Sequence, residues 1–406
     1  MEYILPKYRA PYKSIDDPRI DIQEWTRAVD SFDAKQYKES LIHLFNYINR
    51  SLLKGVDRKK DFKFSHMQGS AEITIEVSDR KFKVESPIVY VTEETNLVAL
   101  LRRVAEINFS TLDIEQIVFE DNLLIFRYET PLEASHPGKI YNLLNNIALR
   151  ADDYDDIFIE EYGAKRYKEL DVEYLSKEEK QETIKYIREI LKETESYSQQ
   201  FVEDRRENYR WDIIVITLLR LSNMPYMQGR LRTDLIKNIE FMYDGEIEFN
   251  QRINKGLQYI KELQEYSDEY YEKNLYHAEQ FFSLRWRATP TILQERIEGH
   301  KKTLNSMIEN DDHMAQSFFL YGIFLKLIYN YNLNRAYKGE IERVLKEVSK
   351  KSTKVAAPKL VALYWDIYNM RVEENVKKRE SNKIFLWIVA LFILLYIIDN
   401  IFEYFS

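Results

Sequence analysis

Cysteine is absent from this 406-residue chain. That excludes disulfides, thiolate catalysis and cysteine-ligated zinc, and it fits a reducing cytosol. Glycine is scarce, at ten residues, and neither GxGxxG nor GxxxxGK[ST] occurs. Nucleotide folds built on glycine-rich phosphate loops are therefore disfavoured. Six histidines are present without an HExxH pair. Basic excess is missing too: 59 Lys and Arg against 67 Asp and Glu give a net charge of −8. A dedicated nucleic-acid face is not expected, and only local basic runs such as Arg58-Lys59-Lys60 occur. The amino terminus lacks a basic stretch followed by an apolar one, so it does not read as a secretory signal. Pro6, Pro11 and Pro18 instead make residues 1–21 an extended arm, whose Tyr3, Tyr8 and Tyr12 would pack on a folded domain.

Apolar residues make up 45% of the chain, with 30 tyrosines and 21 phenylalanines. Cores of ordinary size are within reach, and the length suits two or three domains. Over residues 22–152 the hydrophobic period changes twice. Trp25, Val29, Tyr37, Leu41, Phe45 and Ile48 recur at helical spacing, with an interruption expected at Ser31–Ala34. Strict alternation follows in DFKFSHM, AEITIEVSD and KFKVESPIVYV, the pattern of half-buried antiparallel strands. ETNLVALLRRVAEINF returns to helical spacing, with Leu97, Leu100, Leu101 and Val104 on its expected core face. QIVFEDNLLIFRYE predicts a hairpin turning at Asp121-Asn122, and KIYNLLNNIAL a closing helix through Ile140, Leu143, Leu144 and Ile147. The predicted order is α-β-β-β-α-β-β-α.

That order resembles the type III secretion chaperone fold, shared with the bacterial YbjN-like family. The alternating strands, the acidic-turn hairpin and the closing IYNLLNNIAL helix carry the resemblance. It implies an α+β domain that binds protein segments on a sheet-and-helix surface, commonly as a dimer, and it implies no catalytic motif.

Residues 157–375 read as an all-α domain, an irregular bundle or solenoid without a clean repeat. LSKEEKQETIKYIREIL opens with Ser176 and Glu179 in capping-box spacing. Thr289-Pro290 marks a helix start. MAQSFFLYGIFLKLIYNY is apolar nearly all round but interrupted by Lys326, and reads as a central core helix.

The carboxy-terminal stretch IFLWIVALFILLYII, Ile384–Ile398, is an unbroken apolar run of fifteen residues. Extended through Phe402 it approaches the roughly 20 residues a membrane helix needs. It is apolar all round, unlike a helix packed on a domain surface. Ile384, Trp387, Phe392 and Ile398 are the expected anchor residues of a span over 384–402. Lys377, Lys378, Arg379 and Lys383 form the basic flank, within a stalk over 376–383, and no basic residue follows the run. The positive-inside rule then leaves residues 1–383 cytoplasmic, with the span in a bacterial inner membrane.

Chemistry is sparse. His43 is expected to face solvent, and His66 to point inward beside Phe62 and Phe64. Ser135-His136 lies at a proline–glycine turn, where neighbours in sequence do not converge as nucleophile and base. Asp311, Asp312 and His313 have metal-ligand chemistry but also the pattern of a helix cap. The acidic stretch ADDYDDIFIEE, 151–161, reads as a solvated linker, and the tyrosines from Tyr259 to Tyr276 as packing. The expectation is a non-enzymatic, cofactor-free, membrane-tethered adaptor that binds protein partners and self-associates. Two alternatives stand beside it. One is a sensor–effector whose tail helices oligomerise through Asp399, Asn400 and Glu403 and perturb the membrane; the other is an enzyme in the helical domain.

Overall fold

The structure, a computed structural model, describes residues 3–9, 21–168, 172–224, 226–280, 282–283, 285–379 and 381. The expected span 384–402, with Ile384, Trp387, Phe392 and Ile398, lies outside the described residues, as does Lys383. Among the described residues no helix is long and apolar enough to cross a membrane. The chain divides into two compact units, one within residues 11–286, the other formed by the first ten residues with 287–406.

In the first unit, α1 (Ile22–Asp33) and α2 (Tyr37–Ile48) are split by a turn in which Lys35 takes a left-handed φ of 62°. Five strands follow: β1 (Phe62–Gln68), β2 (Ala71–Val77), β3 (Lys81–Tyr90), then, after α3 (Leu97–Ser110), β4 (Gln116–Glu120) and β5 (Leu123–Pro131). They pair antiparallel in the order β1-β2-β3-β5-β4. Alternation places Ala71, Ile73, Ile75 and Val77 of β2, and Phe82 and Val84 of β3, in the core. Asp121 and Asn122 both have positive φ, as a two-residue hairpin turn requires.

Helix α4 (Pro137–Tyr162) closes the sheet. His136 caps its start, and Gly163 ends it in the left-handed region at φ 70°, its N–H reaching Ile159 O at 3.1 Å. The chain returns as β6 (Lys165–Arg166) beside Val89 and Tyr90 of β3. A two-residue strand, β7 (Glu173–Tyr174), pairs with β8 (Tyr276–His277), and between them lie α5 (Lys177–Glu203), α6 (Tyr209–Ser222), α7 (Gly229–Tyr243), α8 (Phe249–Glu265) and α9 (Asp268–Lys273). The expected capping box at Ser176 and Glu179 is present. Every residue of Ile213–Leu221 is buried, making α6 the centre of this helical layer. At Gly256 of α8 a Cβ would stand 2.8 Å from Ile214 Cγ2 and 2.9 Å from Met242 Sδ. Only glycine lets α8 approach α6 and α7 that closely.

The second unit contains α10 (Pro290–Glu298), α11 (Lys301–Glu309), α12 (His313–Asn330), α13 (Arg335–Val348) and α14 (Thr353–Tyr368), followed by a helical segment at 372–379. Helix α12 is its core helix, with twelve of its eighteen residues buried. The amino-terminal arm belongs here. Leu5 N–H donates to Lys351 O and Thr353 N–H to Tyr3 O, both at 2.8 Å, while the Tyr321 hydroxyl donates to Pro6 O at 3.2 Å. Tyr3 and Leu5 are buried by this pairing, and Tyr8 N–H donates to Ser349 Oγ. Tyr12 lies outside the described residues.

Candidate functional site

A cleft of about 660 Å³ opens between α13 and the segment 372–379. Helix geometry explains the wall. Arg335, Gly339 and Arg343 follow one another at four-residue spacing and so share a face of α13. Glu373, Val376 and Lys377, at three- and four-residue spacing, do the same on the facing segment. Buried Val372 and the pair between Arg379 and Glu340 hold that segment in place.

Glu340 organises the charge. Its carboxylate is buried and accepts from Arg343 Nε at 3.1 Å, Arg343 Nη2 at 2.9 Å and Arg379 Nη1 at 2.7 Å. Burial pushes its carboxyl up, but hydrogen bonds and charge from Arg343 and Arg379 win and hold it below its ordinary value. Glu373 accepts from Asn334 Nδ2 at 2.8 Å. Among the described residues neither Arg335 nor Lys377 has an ion-pair partner, and both are exposed. Gly339 sits in the cleft wall with ordinary helical backbone, and nothing lies within 4 Å of where its Cβ would be. Alanine there would favour the helix by about 0.5–1 kcal/mol, so the glycine costs stability and leaves the wall low.

Of the basic flank read from sequence, Lys377 and Arg379 enter this cleft, and Lys378 is exposed outside it. Arg335, Gly339, Glu340 and Arg343 were not anticipated. Their four-residue row is visible in the sequence, but nothing local ties it to residues some forty positions on.

A second surface lies on the sheet. Helix α3 buries Leu100, Val104 and Ile107, yet carries another apolar stripe on the opposite side: Val98, Leu101, Ala105 and Phe109. Val98 is 64% exposed and Phe109 93%. The expected core face is thereby corrected: Leu97 is exposed and Leu101 half-buried, because α3 packs on α4 and β4 through its Leu100–Val104–Ile107 face. The neighbouring edge strand adds exposed Phe119, with Ile114 just before it. Asn108 of α3 ties the two elements: its Nδ2 donates to Ile117 O at 2.9 Å and its Oδ1 accepts from Ile117 N–H at 2.8 Å.

The acidic stretch 151–161 is not a linker but the last turns of α4. Asp155 is buried, accepts from Ser70 Oγ at 2.7 Å and pairs with Arg166, which also pairs with Asp156. Asp153 accepts from Thr233 Oγ1 at 2.6 Å, and Glu161 pairs with Arg230 at 3.2 Å. The partners come from outside the helix, Ser70 before it, Arg166 in β6, and Arg230 and Thr233 in α7, which is why the stretch reads as solvated in isolation.

The remaining candidates are structural. Ser135 Oγ donates to Leu132 O at 2.6 Å, and His136 Nδ1 accepts from Gly138 N–H. Asp312 caps α12 through Ala315 N–H. His66 Nε2 lies 3.1 Å from Leu52 O, half-buried. His43, expected in solvent, is partly covered and lies 2.6 Å from Glu24 Oε2 of α1. Tyr259, Tyr271 and Tyr276 are buried. Among the described residues no group of three or more His, Asp and Glu could hold a metal ion.

Comparison with models of known protein families and with curated proteins finds no match to this chain.

Proposed function

We propose that this protein is a membrane-tethered adaptor: residues 384–402 anchor it, residues 1–383 face the cytoplasm, and the α+β domain grips a protein partner. The observation that carries the reading is the stripe on α3 beside the β4 edge, where Val98, Ala105 and Phe109 are exposed and Leu101 is half-buried. A helix apolar on two opposite faces needs cover on both, and Phe109 at 93% exposure has none among the described residues. Large side chains left bare on a rigid helix suit a protein interface. The likeness to chaperone-type folds points the same way. The apolar run Ile384–Ile398, flanked by Lys377, Lys378, Arg379 and Lys383 only on its near side, supports the tether and its orientation. Anchoring would raise the partner's effective concentration at the membrane without any catalytic step.

The test compares three chains: the full protein, one stopped at Glu380, and the full protein with V98D/F109D. Ultracentrifugation of detergent-free lysate should sediment the first and third with membranes and leave the second in solution. Affinity capture from solubilised membranes should recover a defined partner with the first and lose it with the third. A full chain that stays in the supernatant sinks the tether; a partner held equally by the V98D/F109D chain sinks the interface.

A further inference from the structure

We propose that the cleft between α13 and the segment 372–379 is a binding site for a phosphate group, with Arg335 and Lys377 as its direct cationic partners. Four cations, Arg335, Arg343, Lys377 and Arg379, face two carboxylates, Glu340 and Glu373. Arg343 is shared between Glu340 and Glu347, and Arg379 is held by Glu340; the two cations left, Arg335 and Lys377, match the near-double negative charge of a phosphate monoester at neutral pH. The two carboxylates are occupied. Glu340 is held by Arg343 and Arg379, and Glu373 accepts from Asn334. Glu340 therefore fixes two guanidiniums side by side, and this order precedes any ligand. Arg335 and Lys377 face each other across the cleft without ion-pair partners among the described residues. A guanidinium and an ammonium supply the two modes by which proteins hold phosphate, a planar fork and a point charge.

Gly339 is the second, independent observation. Its place in the wall costs helix stability and keeps the cleft open where any side chain would intrude. The volume, about 660 Å³, falls in the range of roughly 300–1,000 Å³ common for small-molecule sites.

Phosphate of this kind comes from a lipid headgroup or from a soluble phosphate. Lys377 stands seven positions before Ile384, about 10 Å along a helix, which favours the headgroup. That choice of source, but not the site itself, rests on the proposed tether.

The experiment uses the full chain in neutral detergent titrated calorimetrically with inorganic phosphate, and reconstituted flotation with phosphatidylcholine vesicles with and without phosphatidic acid. The R335Q/K377Q chain should bind phosphate about tenfold more weakly or worse, as expected for two lost charge-assisted contacts. G339L, which fills the cleft and removes no charge, should weaken it similarly. K302Q/K354Q, an equal charge loss on exposed lysines elsewhere in the same unit, should change nothing. Thermal melts of each chain establish that it is folded. Preference for phosphatidic acid that is lost in R335Q/K377Q identifies the headgroup; phosphate binding without vesicle preference identifies a soluble source. Failure of the chain to float with either vesicle defeats the tether while the phosphate titration still reports on the cleft. The site is overturned if neither phosphate nor phosphatidic acid is favoured, or if K302Q/K354Q weakens binding as much as R335Q/K377Q.

Discussion

Arg379 and Glu340, 39 residues apart in sequence, form a two-pronged pair: Nη1 of Arg379 donates to Oε1 of Glu340 at 2.7 Å, and its Nη2 donates to Oε2. The pair fastens the last described helical segment to α13. Glu340 is held below its ordinary pKa because its two arginine partners outweigh the cost of burial. A depressed folded pKa means stability that is present above the unfolded value, near 4.3, and lost as pH falls through the lower folded value. Glu340→Gln should remove about 1–3 kcal/mol at pH 7 and flatten the loss of stability below about pH 4. Hydrogen exchange should quicken over 372–379 and stay unchanged in α14. Unaltered protection of 372–379 in the variant would show that Val372 packing, not the ion pair, holds the segment.

Asp155 and Arg166 make a comparable fastening in the first unit, where the end of α4 meets β6. Asp155 is buried and also receives Ser70 Oγ from the β1–β2 turn. Removing Asp155 leaves Arg166 with Asp156 and leaves Ser70 Oγ without its acceptor. Asp155→Ala should cost about 1–3 kcal/mol, and the double change D155L/R166M should recover part of it, since apolar pairs often replace buried ion pairs without penalty. Urea unfolding of the three chains checks this. A double variant no more stable than D155A would mean that Ser70 and Asp156, rather than the pair, set the geometry.

Legibility in sequence follows the range of the interactions. Strand β2 was readable because Ala71, Ile73, Ile75 and Val77 alternate within seven residues, and α5 because Ser176 and Glu179 satisfy each other locally. A split between α1 and α2 was readable, but it falls at residues 34–36 rather than at Ser31–Ala34, because Ser31, Phe32 and Asp33 remain in α1. The continuation of α4 through the acidic stretch was not readable, because the groups that satisfy Asp153, Asp155 and Asp156, namely Thr233 and Arg166, lie outside the helix, in α7 and β6. Nor was the cleft, whose two walls are separated by α14 in the chain. In α3, apolar residues on both faces made the core side ambiguous; only packing against α4 and β4 distinguishes Leu100 and Val104 from Val98 and Phe109.

Asn108 guards the open edge of the sheet. An edge strand presents unpaired backbone groups on alternate residues, and in β4 the outward N–H and C=O of Ile117 are both taken by the Asn108 amide. Asn108→Ala should cost about 1–2 kcal/mol and open the edge to strand pairing between copies. Sedimentation of the detergent-solubilised chain should then show concentration-dependent self-association beyond that of the parent, alongside a lower melting temperature. A variant as stable and as dispersed as the parent would assign the protection to side chains such as Phe119 instead.

Asp212 supplies a pH dependence of opposite sign. It lies in the first turn of α6, where the helix end ordinarily favours a carboxylate. Burial defeats that preference and pushes its carboxyl up to about 7, its own backbone N–H offsetting only part of the rise. Burial, with the nearby Asp212 charge, also pushes the Tyr243 hydroxyl up. A raised folded pKa means that the fold prefers the neutral acid. The associated stability is fully present below the unfolded value, near 3.9, and is lost as pH climbs through about 7. Asp212→Asn cannot ionise, so it should match the parent at about pH 4 and exceed it by about 2–4 kcal/mol at about pH 8. Denaturant unfolding of both chains across this interval measures the difference. If the two curves run parallel, Asp212 is solvated enough to ionise freely, and its surroundings at the half-buried start of α6 impose no cost on its charge.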